Sequence, residues 1–147
     1  MAFRIHTQID IDAPAARVWE LLTDLPGYQR WNPFVIEAEG RIGLGETLRV
    51  TPRERSGRTY TFRPVVTRYE AGTAFAWTGV VLHRSFVSGE HIFELEALDE
   101  TRTRLIHDEV FTGLAFPLVA LLGGATARDG FARMNTALEH EAESSRP

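Results

Sequence analysis

Three residues on two neighbouring segments carry the side chains best suited to chemistry: His91 in VSGEHIFELEA, and His107 and Glu109 in RLIHDEVF. Two imidazoles and a carboxylate can hold a polar head group, move a proton as general acid and base, or satisfy one another. Both segments alternate apolar and polar residues in the manner of half-buried strands. If Leu105 and Phe111 face a core, period-two alternation sends His107 and Glu109 to the same side, where charge is costly unless paired or solvated. A register centred on a turn at Asp99–Thr101 sets Leu95 opposite Leu105, Phe93 opposite His107 and His91 opposite Glu109. Facing pairs have Cβ atoms about 4.5–5.5 Å apart, close enough for a His91–Glu109 hydrogen bond. The expected interior is thus a cavity with a polar end, beside Phe93 and Phe111.

Three roles are open to this cluster. It can be structural, with the side chains satisfying one another and a buried water. It can recognise a hydroxyl, carbonyl or carboxylate head group. It can be catalytic, with His107 or Glu109 as general base on an acidic C–H and a neighbour as the acid. Two His and one Glu also match zinc ligands, but neither a metal nor a cofactor is expected.

Around these residues, 3–11 alternate Phe3, Ile5, Ile9 and Ile11 against Arg4, His6, Gln8 and Asp10, a half-buried strand. Asp12-Ala13-Pro14 starts a helix, Pro being pre-set for its first turn. Val18, Leu21, Leu22 and Leu25 fall at helical spacing, and the helix runs to about Asp24 before Pro26-Gly27 breaks it. Tyr28–Asn32 is a second short helical turn. Strands are expected near 35–40, 46–53, 58–70, 73–82, 85–98 and 102–112, with Gly89 marking a bulge or split in the fifth. The short turns between them imply an antiparallel meander. Ala127, Phe131, Met134 and Leu138 then form one apolar helical stripe, and Gly123-Gly124 are expected to kink or interrupt the apolar run before it. The chain reads as one α+β domain over 1–147, in which a curved sheet can cover its apolar face only with the last helix, leaving space between the two.

Composition narrows the chemistry further. The 147 residues are 44% hydrophobic and 24% charged, with a net charge of −4, which speaks against a general nucleic-acid binder. Cysteine is absent, which removes disulfides and thiolate chemistry. Lysine is absent as well, which leaves only the N-terminus for a Schiff base. The start MAFRIHTQIDID lacks a signal-peptide pattern, and the longest apolar run, Leu114–Leu122, is far short of the roughly 20 residues of a spanning helix. A cytoplasmic protein without stable membrane insertion is expected. No Gly-rich phosphate loop and no nucleophile elbow is found.

The phrases IDIDAPAARVWELLTDLPGYQRWNPF, FAWTG…GEHIFELE…TRLIHDEVFTG and FARMNTALEHEAE resemble the START and polyketide-cyclase superfamily, in its bacterial polyketide cyclase/dehydrase and lipid-transport branch. The resemblance covers almost the whole chain and implies the helix-grip fold, with a deep pocket between sheet and long helix for apolar or aromatic molecules. That superfamily usually lacks a metal, and its members include carriers, receptors, cyclases and co-chaperones, so the fold leaves the activity open.

On this reading the partner is a hydrophobic small molecule or lipid. The wall of the pocket is expected to draw on Trp31, Phe34, Phe62, Phe75, Trp77, His91, Phe93, His107, Glu109, Phe111, Phe131 and Met134, although plain core packing also accounts for the aromatics. Trp31 and Phe34 flank Asn32-Pro33 on a loop that could border an entrance. Leu114–Leu122 is either core, a lid, or a patch that touches membrane. Alternatives to a carrier are a cyclase or dehydratase using His91, His107 and Glu109, and a co-chaperone-like interaction module. The last rests on the breadth of that superfamily and on the Arg-rich hairpin with Arg49, Arg53, Arg55, Arg58 and Arg63, for which a solvated face is the simpler explanation.

Overall fold

Phe3–Ile11 forms the first strand, β1, and buries Ile5 and Ile11 completely, as its alternation requires. The computed structural model describes residues 2–81 and 83–144, and of residue 81 the backbone only. Helix α1 spans Ala15–Thr23 and turns Val18, Leu21 and Leu22 inward. Pro14 is its cap rather than its first helical residue: its backbone is extended (ψ 150°), and its carbonyl accepts the N–H groups of Arg17 and Val18. A 3-10 turn at Leu25–Gly27 leads into the short α2, Tyr28–Trp31. The Tyr28 hydroxyl donates to the Leu22 carbonyl at 2.5 Å and ties this corner together.

Six strands follow: β2 (Val35–Glu39), β3 (Arg49–Pro52), β4 (Val65–Glu70), β5 (Ala74–Val81), β6 (Val87–Ala97) and β7 (Thr103–Thr112). They make a five-stranded antiparallel sheet in the order β1-β7-β6-β5-β4 and a two-stranded sheet, β2-β3. The expected strand over 58–70 contracts to β4, and that over 46–53 to β3. Between them run isolated bridges, Thr47–Val65, Val50–Phe62 and Arg53–Thr59, rather than a continuous ladder. Pro52 and Pro64 lack the N–H that a continuous ladder needs.

The register of β6 with β7 is the one centred on the 99–101 turn: Leu95 faces Leu105, Phe93 faces His107, and His91 faces Glu109. Gly89 neither splits nor bulges β6, which runs unbroken and pairs Gly89 with Phe111.

Helix α3, Phe116–Ser144, lies across β1 and β7 and buries Phe131, Met134, Leu138 and Ala142. Gly123-Gly124 does not interrupt it. A glycine costs a helix roughly 1 kcal/mol relative to Ala, a cost that the packing of α3 on the sheet outweighs here. A Cβ on Gly124 would lie 3.6 Å from the Phe3 ring, and Gly123 faces a cavity. No helix among the described residues is long and apolar enough to cross a membrane.

Candidate functional site

The inward face of the sheet divides in two. Toward α1 it is filled: Phe75 stacks on Phe93 at 4.8 Å, and Trp19 caps Phe75 edge-on at 5.6 Å. At the other end, beyond the reach of α1, the sheet and the N-terminal half of α3 enclose a cavity of about 360 Å³. That lies within the roughly 300–1,000 Å³ of small-molecule sites.

Of the expected wall residues, Phe34, Phe62, Trp77, His91, Glu109, Phe111 and Phe131 line this cavity. Trp31, Phe75, Phe93, His107 and Met134 do not. Phe75 and Phe93 belong to the filled end, Met134 is fully buried on α3, and Trp31 packs edge-on against Tyr28 at 5.2 Å. His107 sits one layer behind the wall, fully buried between Phe131 (4.4 Å) and Phe93 (4.5 Å). Val35, Val50, Pro52, Tyr60, Val87 and Val119 complete the apolar lining. Tyr60 and Val80, both half-exposed, stand where the cavity meets the surface.

Phe34 is held from three sides. A Cβ on Gly130 would come within 2.4 Å of its ring, so only glycine on α3 admits it. Phe131 meets it edge-on at 5.8 Å, and the Arg133 guanidinium lies 5.9 Å from its centroid. Arg133 also donates to the carbonyls of Pro33 and Arg53, while Asn32 Oδ1 accepts from the N–H groups of Phe34 and Val35. The loop that carries Phe34 is thereby fastened to α3 and to β2.

The polar end departs from the expected His91–Glu109 hydrogen bond. His91 Nε2 instead meets His107 Nε2 diagonally at 2.5 Å, and His107 Nδ1 meets Asn135 Oδ1 at 2.6 Å. Asn135 Nδ2 donates to Thr7 Oγ1 at 3.0 Å, and Thr7 Oγ1 donates to the His107 carbonyl at 2.5 Å. Glu109 lies over Gly89, where a Cβ would approach its Oε2 to 2.7 Å. The space left by that missing side chain draws the carboxylate away from His91. Among the described residues no group hydrogen-bonds the Glu109 carboxylate.

Burial sets the protonation of all three groups. It pushes the Glu109 carboxyl up from 4.5 to about 7. Burial, and secondarily His107 beside it, holds the His91 pKa well below 6.5. Burial lowers His107 to about 4, against the Asn135 hydrogen bond and the Asp108 charge, which raise it. At neutral pH the cavity wall therefore carries a neutral imidazole and a carboxyl group poised to gain or lose a proton. No group of three His, Cys, Asp or Glu among the described residues is arranged to hold a metal ion.

Asn135 is the residue that sequence reasoning missed. It lies four residues after Phe131 and three before Leu138, on the buried stripe of α3, and a polar side chain there demands a buried partner. Leu114–Leu122 is not core: Leu114, Leu121 and Leu122 are 87%, 81% and 74% exposed. Val119 and Gly123 on the opposite side of the same turns face the cavity.

The family described as polyketide cyclase / dehydrase and lipid transport matches residues 2–142, and the chain belongs to it. No curated protein matches the chain in sequence. Among solved structures, the Zhui aromatase/cyclase from Streptomyces sp. R1128 is similar with a TM-score of 0.76 at 21% identity, over 97% of this chain and 94% of that one. A START superfamily protein from Mycobacterium smegmatis gives 0.71 at 20% identity, over 97% and 99%. Norcoclaurine synthase from Thalictrum flavum, in complex with dopamine and hydroxybenzaldehyde, gives 0.73 at 11% identity, over 100% and 90%. At these identities the likeness establishes the helix-grip fold.

Proposed function

We propose that the chain binds a hydrophobic or aromatic small molecule or lipid in the cavity between its sheet and α3. One observation carries this reading: a cavity of about 360 Å³ walled mainly by Phe34, Phe62, Trp77, Phe111 and Phe131 has its imidazole and its carboxyl group, His91 and Glu109, side by side on one wall. Such a site covers an apolar body and fixes one polar handle. Native mass spectrometry of freshly purified protein, followed by organic extraction, tests it. A discrete apolar adduct is expected. A protein that is empty and takes up no member of a broad lipid and aromatic panel would overturn it.

A second reading is a cyclase or dehydratase, favoured by Glu109, whose carboxyl near neutrality suits a general base. Its carboxylate would take the proton from a C–H between two carbonyls, leaving an enolate, and return a proton from the acid form. Deuterium exchange into a bound 1,3-diketone would then be catalysed by the wild type and not by Glu109→Gln. Equal exchange by both would remove Glu109 from such a mechanism. The family name covers both readings, lipid transport and cyclase/dehydrase chemistry.

A further inference from the structure

The direction of every hydrogen bond behind His91 is fixed by groups that can play only one role. The His107 backbone carbonyl only accepts, so the single hydroxyl proton of Thr7 points to it. Thr7 Oγ1 must then accept from Asn135, which makes its partner the amide nitrogen and turns the amide oxygen to His107 Nδ1. That oxygen also only accepts, so His107 carries its proton on Nδ1. A neutral His107 presents a lone pair at Nε2, and His91, 2.5 Å away, must place its proton on its own Nε2. Burial keeps both rings neutral near pH 7. His91 Nδ1, at the cavity wall, is left as an acceptor, and the described residues give it no partner.

We infer that Asn135 and Thr7 are positioning residues: through His107 they lock His91 in the tautomer whose Nδ1 accepts, so the cavity selects an apolar ligand bearing a neutral hydroxyl donor, of phenol or enol type. The inference rests on the cavity being a binding site. At His91 a carbonyl or an ether brings only lone pairs to a lone pair, and its donor would have to be the protonated form of Glu109 or Trp77 Nε1, which has no partner among the described residues. A carboxylate does the same and adds repulsion from ionised Glu109.

The test has two parts. Nitrogen-15 spectra of the histidine side chains in the ligand-free protein should show His91 protonated on Nε2 and His107 on Nδ1. The opposite tautomer of His91, or a charged His91, would overturn the inference. Calorimetric binding of 2-naphthol and 2-methoxynaphthalene, which share their rings and differ in the O–H, should favour the naphthol by roughly tenfold, the equivalent of one good hydrogen bond. Asn135→Leu should erase that preference, and Thr7→Val should weaken it. Equal affinities in the wild type, or a preference untouched by both Asn135→Leu and Thr7→Val, would refute the assignment and leave Glu109 as the source of any selectivity. Binding of neither probe, with the tautomers as stated, would instead refute the cavity reading and the ligand preference with it.

Discussion

Replacing Glu109 by Gln should stabilise the protein, and only above a definite pH. The carboxyl titrates at about 7 in the folded chain and near 4.5 when exposed. The folded state therefore holds a proton that the unfolded state has already released, and stability falls as pH rises from 4.5 through 7. At about 1.36 kcal/mol per pH unit of separation, the loss above pH 7 amounts to about 3 kcal/mol. Gln keeps the shape and cannot ionise. Glu109→Gln should accordingly exceed the wild type by about 1 kcal/mol or less at pH 5 and by about 3 kcal/mol at pH 8, read from urea unfolding at both pH values. His91 and His107 titrate in both proteins, so the difference between the two isolates Glu109. A stability difference that does not change between pH 5 and pH 8 would show that the carboxyl is solvated, and the account of the polar end would fail.

Three further outcomes follow from the same geometry. Gly89→Ala should cost about 1 kcal/mol or less, because its Cβ would meet Glu109 Oε2 at 2.7 Å, the movable end of a flexible side chain, and the Phe111 ring at 3.2 Å; a Glu109→Ala background should remove only the first part, and equal costs in a double-mutant cycle would deny the Glu109 contact. In a Glu109→Gln background, where the opposing carboxyl is removed, acidification from pH 6.5 toward 4 should destabilise the fold, since His107, lowered to about 4, and His91, held well below 6.5, take up protons in the unfolded state first; adding His107→Phe should reduce that pH dependence in calorimetric melting. Leu138→Ala, on the fully buried stripe of α3, should cost about 2–5 kcal/mol, whereas Leu121→Ala, exposed, should stay within about 0.5 kcal/mol in denaturant unfolding.

The β6–β7 hairpin was readable from sequence because two long alternating runs flank one short turn, which leaves the register few choices. The residues on its inward face followed from parity alone. What parity does not convey is which inward side chains are covered and which are left open. Phe75 and Phe93 share the face with Trp77 and Phe111, yet α1 covers the first pair and not the second, a fact of tertiary placement. The His91–Glu109 bond failed for a similar reason: the glycine two residues before His91 offers the carboxylate a space that only the folded sheet reveals. Gly123-Gly124 carries a helix-breaking local signal, which packing of α3 on Phe3 overrides. The strand expected over 58–70 shortens to 65–70 because Pro64 has no N–H for the ladder, a signal already present in the sequence.

The most direct test of ligand binding in the cavity is to fill it. Gly79 lines the cavity, and a Cβ there would meet the Phe62 ring at an ordinary 3.5 Å, so the first carbon of Gly79→Leu is accommodated and the rest adds bulk to the site. Titration with Nile red should show saturable binding to the wild type and to a Leu118→Ser, Leu121→Ser variant, and binding weakened by tenfold or more in Gly79→Leu with its melting temperature retained. Unchanged binding to Gly79→Leu, or loss of binding in the double-serine variant, would place the ligand on the exposed leucine surface and contradict the account.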